Sequence, residues 1–145
     1  MEKNHHIYLR QLKSAKVSNT KPRRAVFEAL VASEHKPLST KELILATSSK
    51  ADRASVYRSI ETLEKAGIIK RIYQGWKYRL ELSDVFHGHH HHITCVECGR
   101  TEIIKENTDL EELLHKITKK AGFSRGEHNV EIRGICSTCS KSNSV

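Results

Sequence analysis

Four cysteines in two pairs carry the most specific chemistry in this sequence. Cys95-Val96-Glu97-Cys98 and Cys136-Ser137-Thr138-Cys139 are CxxC knuckles, and four thiolates are the ligand set of a closed, tetrahedral structural zinc site. A redox-active CxxC is the competing use, but two complete pairs in one short stretch favour zinc and consume every cysteine in the chain. The 37 residues between the pairs exceed the usual zinc-ribbon gap, so they must hold structure of their own. Just before the first knuckle runs His87-Gly88-His89-His90-His91-His92. An artificial tag is the bland source of such a run, yet this one is internal, broken by a glycine, and continuous with Ile93-Thr94-Cys95. On a strand of period two, His89 and His91 project to one face and His90 and His92 to the other. Each pair suits zinc, iron, manganese or nickel and needs a carboxylate or another histidine to complete its sphere. A crowded histidine surface without metal is the alternative.

The elements that must position these ligands follow from charge and periodicity. Lys and Arg total 25 against 17 acidic residues, a formal charge of +8, which points to an anionic partner. The excess is local: residues 1–85 carry 17 basic and 9 acidic side chains, residues 86–145 carry 8 of each. Every cysteine and seven of the ten histidines lie in the second stretch. The chain therefore reads as a basic module, 1–85, joined to a metal module, 86–145. The latter has about 60 residues, a size at which a metal staple often supplements the core. No apolar run approaches the roughly 18 residues that span a bilayer, and the first 15 residues lack a signal-peptide core. The expected setting is the cytoplasm, with no membrane partner, where thiols stay reduced.

In the basic module, Tyr8, Leu12 and Ala15 form one helical stripe, and Thr20 with Pro22 opens a second helix that turns Val26, Phe27, Leu30 and Val31 inward. Ser39 and Glu42 form a capping box before a short third helix. Ala51 to Ala66 places Val56, Ile60 and Leu63 on one face, and Gly67 supplies the left-handed residue that ends it. Ile68 to Tyr73, a Gln74-Gly75 turn, and Trp76, Tyr78, Leu80 and Leu82 alternating on one face make a hairpin. This is the outline of a winged helix-turn-helix. In such a fold the helix after the turn enters the major groove. Its outward face offers Arg53, Ser55, Tyr57 and Arg58, with Glu61 and Glu64 towards the other end. Lys13, Lys16, Lys21, Arg23, Lys70, Arg71 and Lys77 are candidate phosphate contacts, which carry affinity without sequence information. A solvated helix in an adaptor domain is the competing reading. In the metal module, Arg100 to Ile104 reads as a strand, Leu110, Leu113, Leu114, Ile117 and Ala121 as an amphipathic helix ending at Gly122, and Val130, Ile132 and Ile135 as a returning strand.

Across nearly its whole length the chain resembles the ferric uptake regulator family of metal-dependent repressors, which includes iron, zinc, manganese, nickel and peroxide sensors. The resemblance rests on Lys21-Pro22-Arg23, Ala54-Ser55-Val56-Tyr57-Arg58, Ala66-Gly67-Ile68-Ile69, the histidine run leading to Cys95 and Cys98, and the terminal CxxC. It implies an α/β (α+β) chain: an N-terminal winged helix-turn-helix followed by a small α/β dimerisation domain with a four-cysteine zinc site. It also implies a homodimer that closes on a palindromic double-stranded DNA operator when a second divalent metal (Zn, Fe, Mn or Ni) occupies a sensing site. Tyr57 and Arg58 look like the family's base-contacting residues.

By position in the family, Glu111 and His128 complete the site of His89 and His91. His90 and His92 resemble the sensing pair, for which His35 is the candidate from the DNA-binding module. Two positions depart from the pattern. Arg79 follows Tyr78 where relatives carry a carboxylate, leaving Glu81 as the substitute, and Ile103 stands where a carboxylate is expected, with Glu102 one position early. A metalloenzyme using one His/carboxylate set is the alternative from another class, although no dedicated nucleophile or substrate loop accompanies the ligands. A peroxide-sensing member is the alternative within the family.

Overall fold

Apolar spacing and capping chemistry place the helices of the first half close to where the sequence predicts them. A computed structural model describes residues 2–34, 36–74, 76–124 and 128–142. Helices α1 (Glu2–Ser14), α2 (Lys21–Ala32), α3 (Thr40–Thr47) and α4 (Arg53–Lys65) lead into a hairpin of β1 (Ile69–Gln74) and β2 (Lys77–Leu82). Then come β3 (His90–Cys95), β4 (Thr101–Lys105), α5 (Thr108–Lys120), β5 (Glu131–Gly134) and α6 (Ser137–Ser142). The chain divides into two compact units, Met1–Gly88 and His89–Val145.

The first unit is a winged helix-turn-helix built round one apolar core. Tyr8 and Leu12 of α1, Val26, Phe27 and Leu30 of α2, Leu43 of α3, Val56, Ile60 and Leu63 of α4, and Leu80 and Leu82 of β2 are buried together. Tyr8 stacks on Phe27 with ring centroids 4.2 Å apart, and its hydroxyl donates to Asn19 Oδ1 at 3.1 Å. Burial pushes its phenol up to about 12. The Ser39–Glu42 capping box forms reciprocally, Glu42 N–H to Ser39 Oγ at 3.2 Å and Ser39 N–H to Glu42 Oε2 at 2.6 Å. Gly67 takes the left-handed conformation, φ +67°, that ends α4 and aims β1 back along it.

Three local expectations are corrected. Ala15 is exposed beyond the end of α1. Thr20 precedes α2 without a side-chain capping bond. Trp76 is not on an inward strand face: it stands fully exposed in the turn before β2, whose buried residues are Leu80, Glu81 and Leu82 at its far end.

The second unit is a three-stranded sheet, order β4-β3-β5, with β3 antiparallel to β4 and parallel to β5. Ile103 and Glu131 both lie opposite His92. Among the described residues the buried side chains here are Cys95, Thr94 and three histidines, His90, His91 and His92. Helix α5 buries none of its residues, and Leu113, Ile117, Phe123, Ile132 and Ile135 are exposed. One copy of this unit has no apolar core of its own among the described residues. Helix α6, short and polar, lacks the apolar period that would have revealed it.

Candidate metal centres

The first centre is built by chain reversals at both knuckles. Cys95 ends β3, Cys98 lies in the turn after it, and Cys136 and Cys139 flank the start of α6. All four Sγ atoms lie within 4.8 Å of one another, with Cys98 and Cys136 at 3.9 Å. A zinc tetrahedron with Zn–S near 2.3 Å has an S···S edge of about 3.8 Å, so the thiols are spaced for it. All four are free thiols. Backbone N–H groups of Cys98 and Cys136 lower the Cys95 thiol to about 6, the Cys136 N–H standing 3.3 Å from Cys95 Sγ. Cys139, donating to Cys136 and Cys98, keeps its proton and is pushed up to about 12. A dication among them would replace such shared protons, since thiolates are the ligating form.

The second centre is made of nitrogen and oxygen. His91 Nε2 lies 2.8 Å from Glu111 Oε1, His128 Nε2 is 2.8 Å from Glu111 Oε2, and His89 Nε2 is 3.1 Å from His128 Nε2. One atom from each residue falls within a 4.8 Å cluster. The carboxylate comes from the first turn of α5, which Asn107 caps through the Leu110 N–H at 3.1 Å. Burial opposes ionisation of Glu111, but the His91 hydrogen bond and the neighbouring His128 and His89 outweigh it and hold the carboxyl below its usual range. An ionised carboxylate facing three imidazoles suits zinc, iron, manganese or nickel.

The model of the Ferric uptake regulator family matches residues 14–133. The chain belongs to this family. Its members are metal-responsive transcriptional regulators, and the two clusters give this chain residues that can hold metal, as expected. A ferric uptake regulation protein of Legionella pneumophila is 33% identical over 133 residues, which cover 89% of this chain and 96% of that protein. Among solved structures, an iron-containing ferric uptake regulator of Francisella tularensis superposes with a TM-score of 0.70 at 27% identity, covering 85% of this chain and 94% of its own. The ferric uptake regulator of Helicobacter pylori, described as having three functional metal-binding sites, gives a TM-score of 0.76 at 25% identity. The match covers 99% of this chain and 95% of that one.

The remaining expected ligands are placed unevenly. His90 and His92 share the other face of β3, ring centroids 4.9 Å apart. Glu102 does not join them. It lies opposite Ile93 in the β3–β4 register, which turns it to the face of His91, and it is exposed in an ion pair with Arg100 at 3.3 Å. No bulge shifts that register, so Glu102 does not belong with His90 and His92. Glu81 is buried on β2 with Lys70 Nζ at 3.1 Å. His35 lies outside the described residues. Arg79 ties β2 to α3, donating to the Pro37 carbonyl at 2.9 Å and pairing with Glu42 at 3.0 Å. Sequence reasoning missed Glu131, whose Oε1 is 3.7 Å from His92 Nδ1. Its place between the apolar Val130 and Ile132 was the available signal.

On α4, Arg53, Tyr57 and Arg58 are exposed, with the Arg53 guanidinium 5.7 Å from the Tyr57 ring centroid. Ser55 is partly occupied: its N–H and hydroxyl both bond to the N-cap Asp52, at 2.9 and 2.7 Å, while it accepts from Arg58 at 3.2 Å. Lys13 and Lys16 are exposed, and Arg23 donates to the Ser18 carbonyl at 2.8 Å. Among the described residues no helix is long and apolar enough to cross a membrane.

Proposed function

We propose that the chain is a homodimeric, DNA-binding repressor that binds a palindromic operator when a second divalent metal joins the structural zinc. One observation carries this reading: the histidine run splits between two faces. His89 and His91 meet Glu111 and His128, while His90 and His92 remain together as a second pair. A closed all-sulfur set serves stability, because tetrahedral thiolate sites exchange little, whereas nitrogen–oxygen sets respond to metal supply and pH. Residues 1–85 supply the basic winged helix and 86–145 the metal-binding and dimerising part.

In this reading Cys95, Cys98, Cys136 and Cys139 hold zinc. His90 and His92 are the sensing ligands of their unit, with Glu131 the carboxylate beside His92, and Glu81 and His35 are the partners to be tested by substitution. His89, His91, Glu111 and His128 hold a further ion. Bound metal supplies a positive charge that fixes its ligands in one arrangement. If the DNA-competent form holds it more tightly, the population shifts by that difference in affinity. A hundredfold activation of DNA binding needs about 2.7 kcal/mol of such difference.

Tyr57 and Arg58 read bases, Arg53 and Ser55 support them, and Lys13, Lys16 and Arg23 contact phosphates. The test combines elemental analysis of the isolated protein with DNA-binding titrations against zinc, iron(II), manganese and nickel. About one tightly held zinc per chain and activation by a second equivalent are expected. Failure to bind duplex DNA in any metal state would overturn the proposal.

A further inference from the structure

The chain entering β5 meets the two most deeply buried histidines of the run in opposite ways. The Val130 N–H, just before the strand, donates to His91 Nδ1 at 3.4 Å, and His91 Nε2 lies 2.8 Å from Glu111 Oε1. A neutral imidazole carries one N–H and one lone pair. With its Nδ1 lone pair taken by the backbone, His91 carries its proton on Nε2, against the Glu111 carboxylate. One residue further on, Glu131 stands opposite His92 in the parallel register, its Oε1 3.7 Å from His92 Nδ1. An ionised carboxylate only accepts, so it favours the proton on Nδ1. His92 is thereby set the other way round, with its lone pair on Nε2.

The surroundings fit Glu131 to this task. The His92 side chain is 2% exposed and that of Glu131 16%, and both carboxylate oxygens are closed off from solvent. A carboxylate so placed is costly unless a donor faces it. The registers put Ile103 and Lys105 of β4 and Arg133 of β5 on the same face of the sheet as His90 and His92. Lys105 and Arg133 are exposed, and among the described strand residues Glu131 is the one carboxylate on that face. The separation of Nδ1 and Oε1 exceeds an ordinary hydrogen bond by about 0.8 Å, which a small turn of either side chain closes. Histidines that ligate metal commonly donate their other ring N–H to a carboxylate, which fixes the tautomer and the direction of the ring.

We propose that Glu131 is the positioning residue of the His90–His92 pair: its carboxylate accepts the Nδ1–H of His92 and holds the ring so that Nε2 faces the divalent cation that the pair binds. This rests on the reading of that pair as sensing ligands.

The test uses the full chain with zinc on its cysteines and His128→Ala in the background, so that the His90–His92 pair is the nitrogen site under study. Cobalt(II) is the probe, its affinity read by competition with a chromogenic chelator and its ligand set by visible absorption. Glu131→Ala should weaken cobalt binding about ten- to a hundred-fold, and Glu131→Gln, which keeps an acceptor oxygen, less. The shape of the cobalt spectrum and the zinc content should not change, because the ligand atoms stay the same. In the zinc-saturated protein, nitrogen NMR of the His92 ring should show a proton on Nδ1 and metal on Nε2, and Glu131→Ala should speed exchange of that proton.

The proposal is overturned if Glu131→Ala binds cobalt like its parent, or if His92 is metallated through Nδ1. It is equally overturned if Glu131→Gln alters the cobalt spectrum, since Glu131 is then itself a ligand, or if Glu131→Ala loses zinc along with cobalt, since its role is then structural. If the His128→Ala protein binds no cobalt beyond its zinc, or binds it unchanged after His90→Ala and His92→Ala, it is the sensing-pair reading that fails, and this inference with it.

Discussion

Glu111 gathers three imidazoles, and the consequences of that arrangement can be measured residue by residue. Its folded pKa lies below the ordinary carboxylate value. Its contribution to stability is therefore fully present above about pH 4.3 and lost as pH falls through the lowered value. Without added metal, Glu111→Gln should remove that window, seen as a flatter dependence of melting temperature on acid pH. The two faces of the histidine run should separate by mutation. His90→Ala with His92→Ala should abolish or blunt metal-activated DNA binding while zinc content and dimer persist, whereas His89→Ala or His128→Ala should cost the further ion held with His91 and Glu111, with a smaller loss of activation. If the His89 and His128 variants lose activation and the double variant keeps it, the roles are reversed. At the thiolate centre, Cys95→Ser or Cys136→Ser should lose about one zinc per chain and lower the melting temperature, because structural zinc contributes folding free energy directly. Unchanged zinc content by elemental analysis would remove that assignment.

At the scale of elements, α4 depends on Asp52. This cap holds Ser55 by two bonds, and Ser55 in turn accepts from Arg58, so one carboxylate both starts the helix and orients its arginine. Asp52→Ala should lower the melting temperature and weaken DNA binding, with Asp52→Asn retaining most of the cap. Thermal melts and anisotropy titrations check both. Arg58→Ala should relax base preference, while Lys16→Ala should weaken binding to all duplexes alike and lower the salt slope. What was legible in the sequence follows from periodicity and ligand type. The helical stripes, the Ser39–Glu42 box, the Gly67 stop and the two cysteine pairs are each set by local chemistry. Glu111 and His128, 20 and 37 residues beyond His91, were reachable only through resemblance, because no local pattern encodes their approach. Trp76 misled because alternation was extended through the turn before β2. Glu102 was displaced by strand register, where one residue inverts the face. Glu131 went unread because its partner, His92, becomes a neighbour only through parallel pairing of β5 with β3.

At the scale of the whole molecule, the C-terminal unit poses a stability problem that one chain does not solve. Its buried described residues are histidines, a threonine and a cysteine, while Leu113 and Ile117 of α5, Ile132 of β5, Ile103 of β4 and Phe123 stay in water. Zinc can staple the knuckles, but it does not cover apolar side chains on a helix and on a sheet. In the proposed homodimer a second copy would cover them, because a two-fold interface places the same patch on both partners. A stable dimer of this type buries on the order of 1,200–2,000 Å² or more. Leu113→Glu with Ile117→Glu would place carboxylates within that surface and should convert the zinc-loaded dimer to monomer, read by sedimentation equilibrium. Leu45→Glu, on an exposed position of α3 in the other unit, is the control and should leave the assembly unchanged. The monomeric variant should keep its zinc and lose preference for palindromic over half-site DNA, since each copy then contributes one winged helix alone. A parent protein that sediments as a monomer at every concentration tested, or a double variant that remains dimeric, would show that something other than a second copy covers this face.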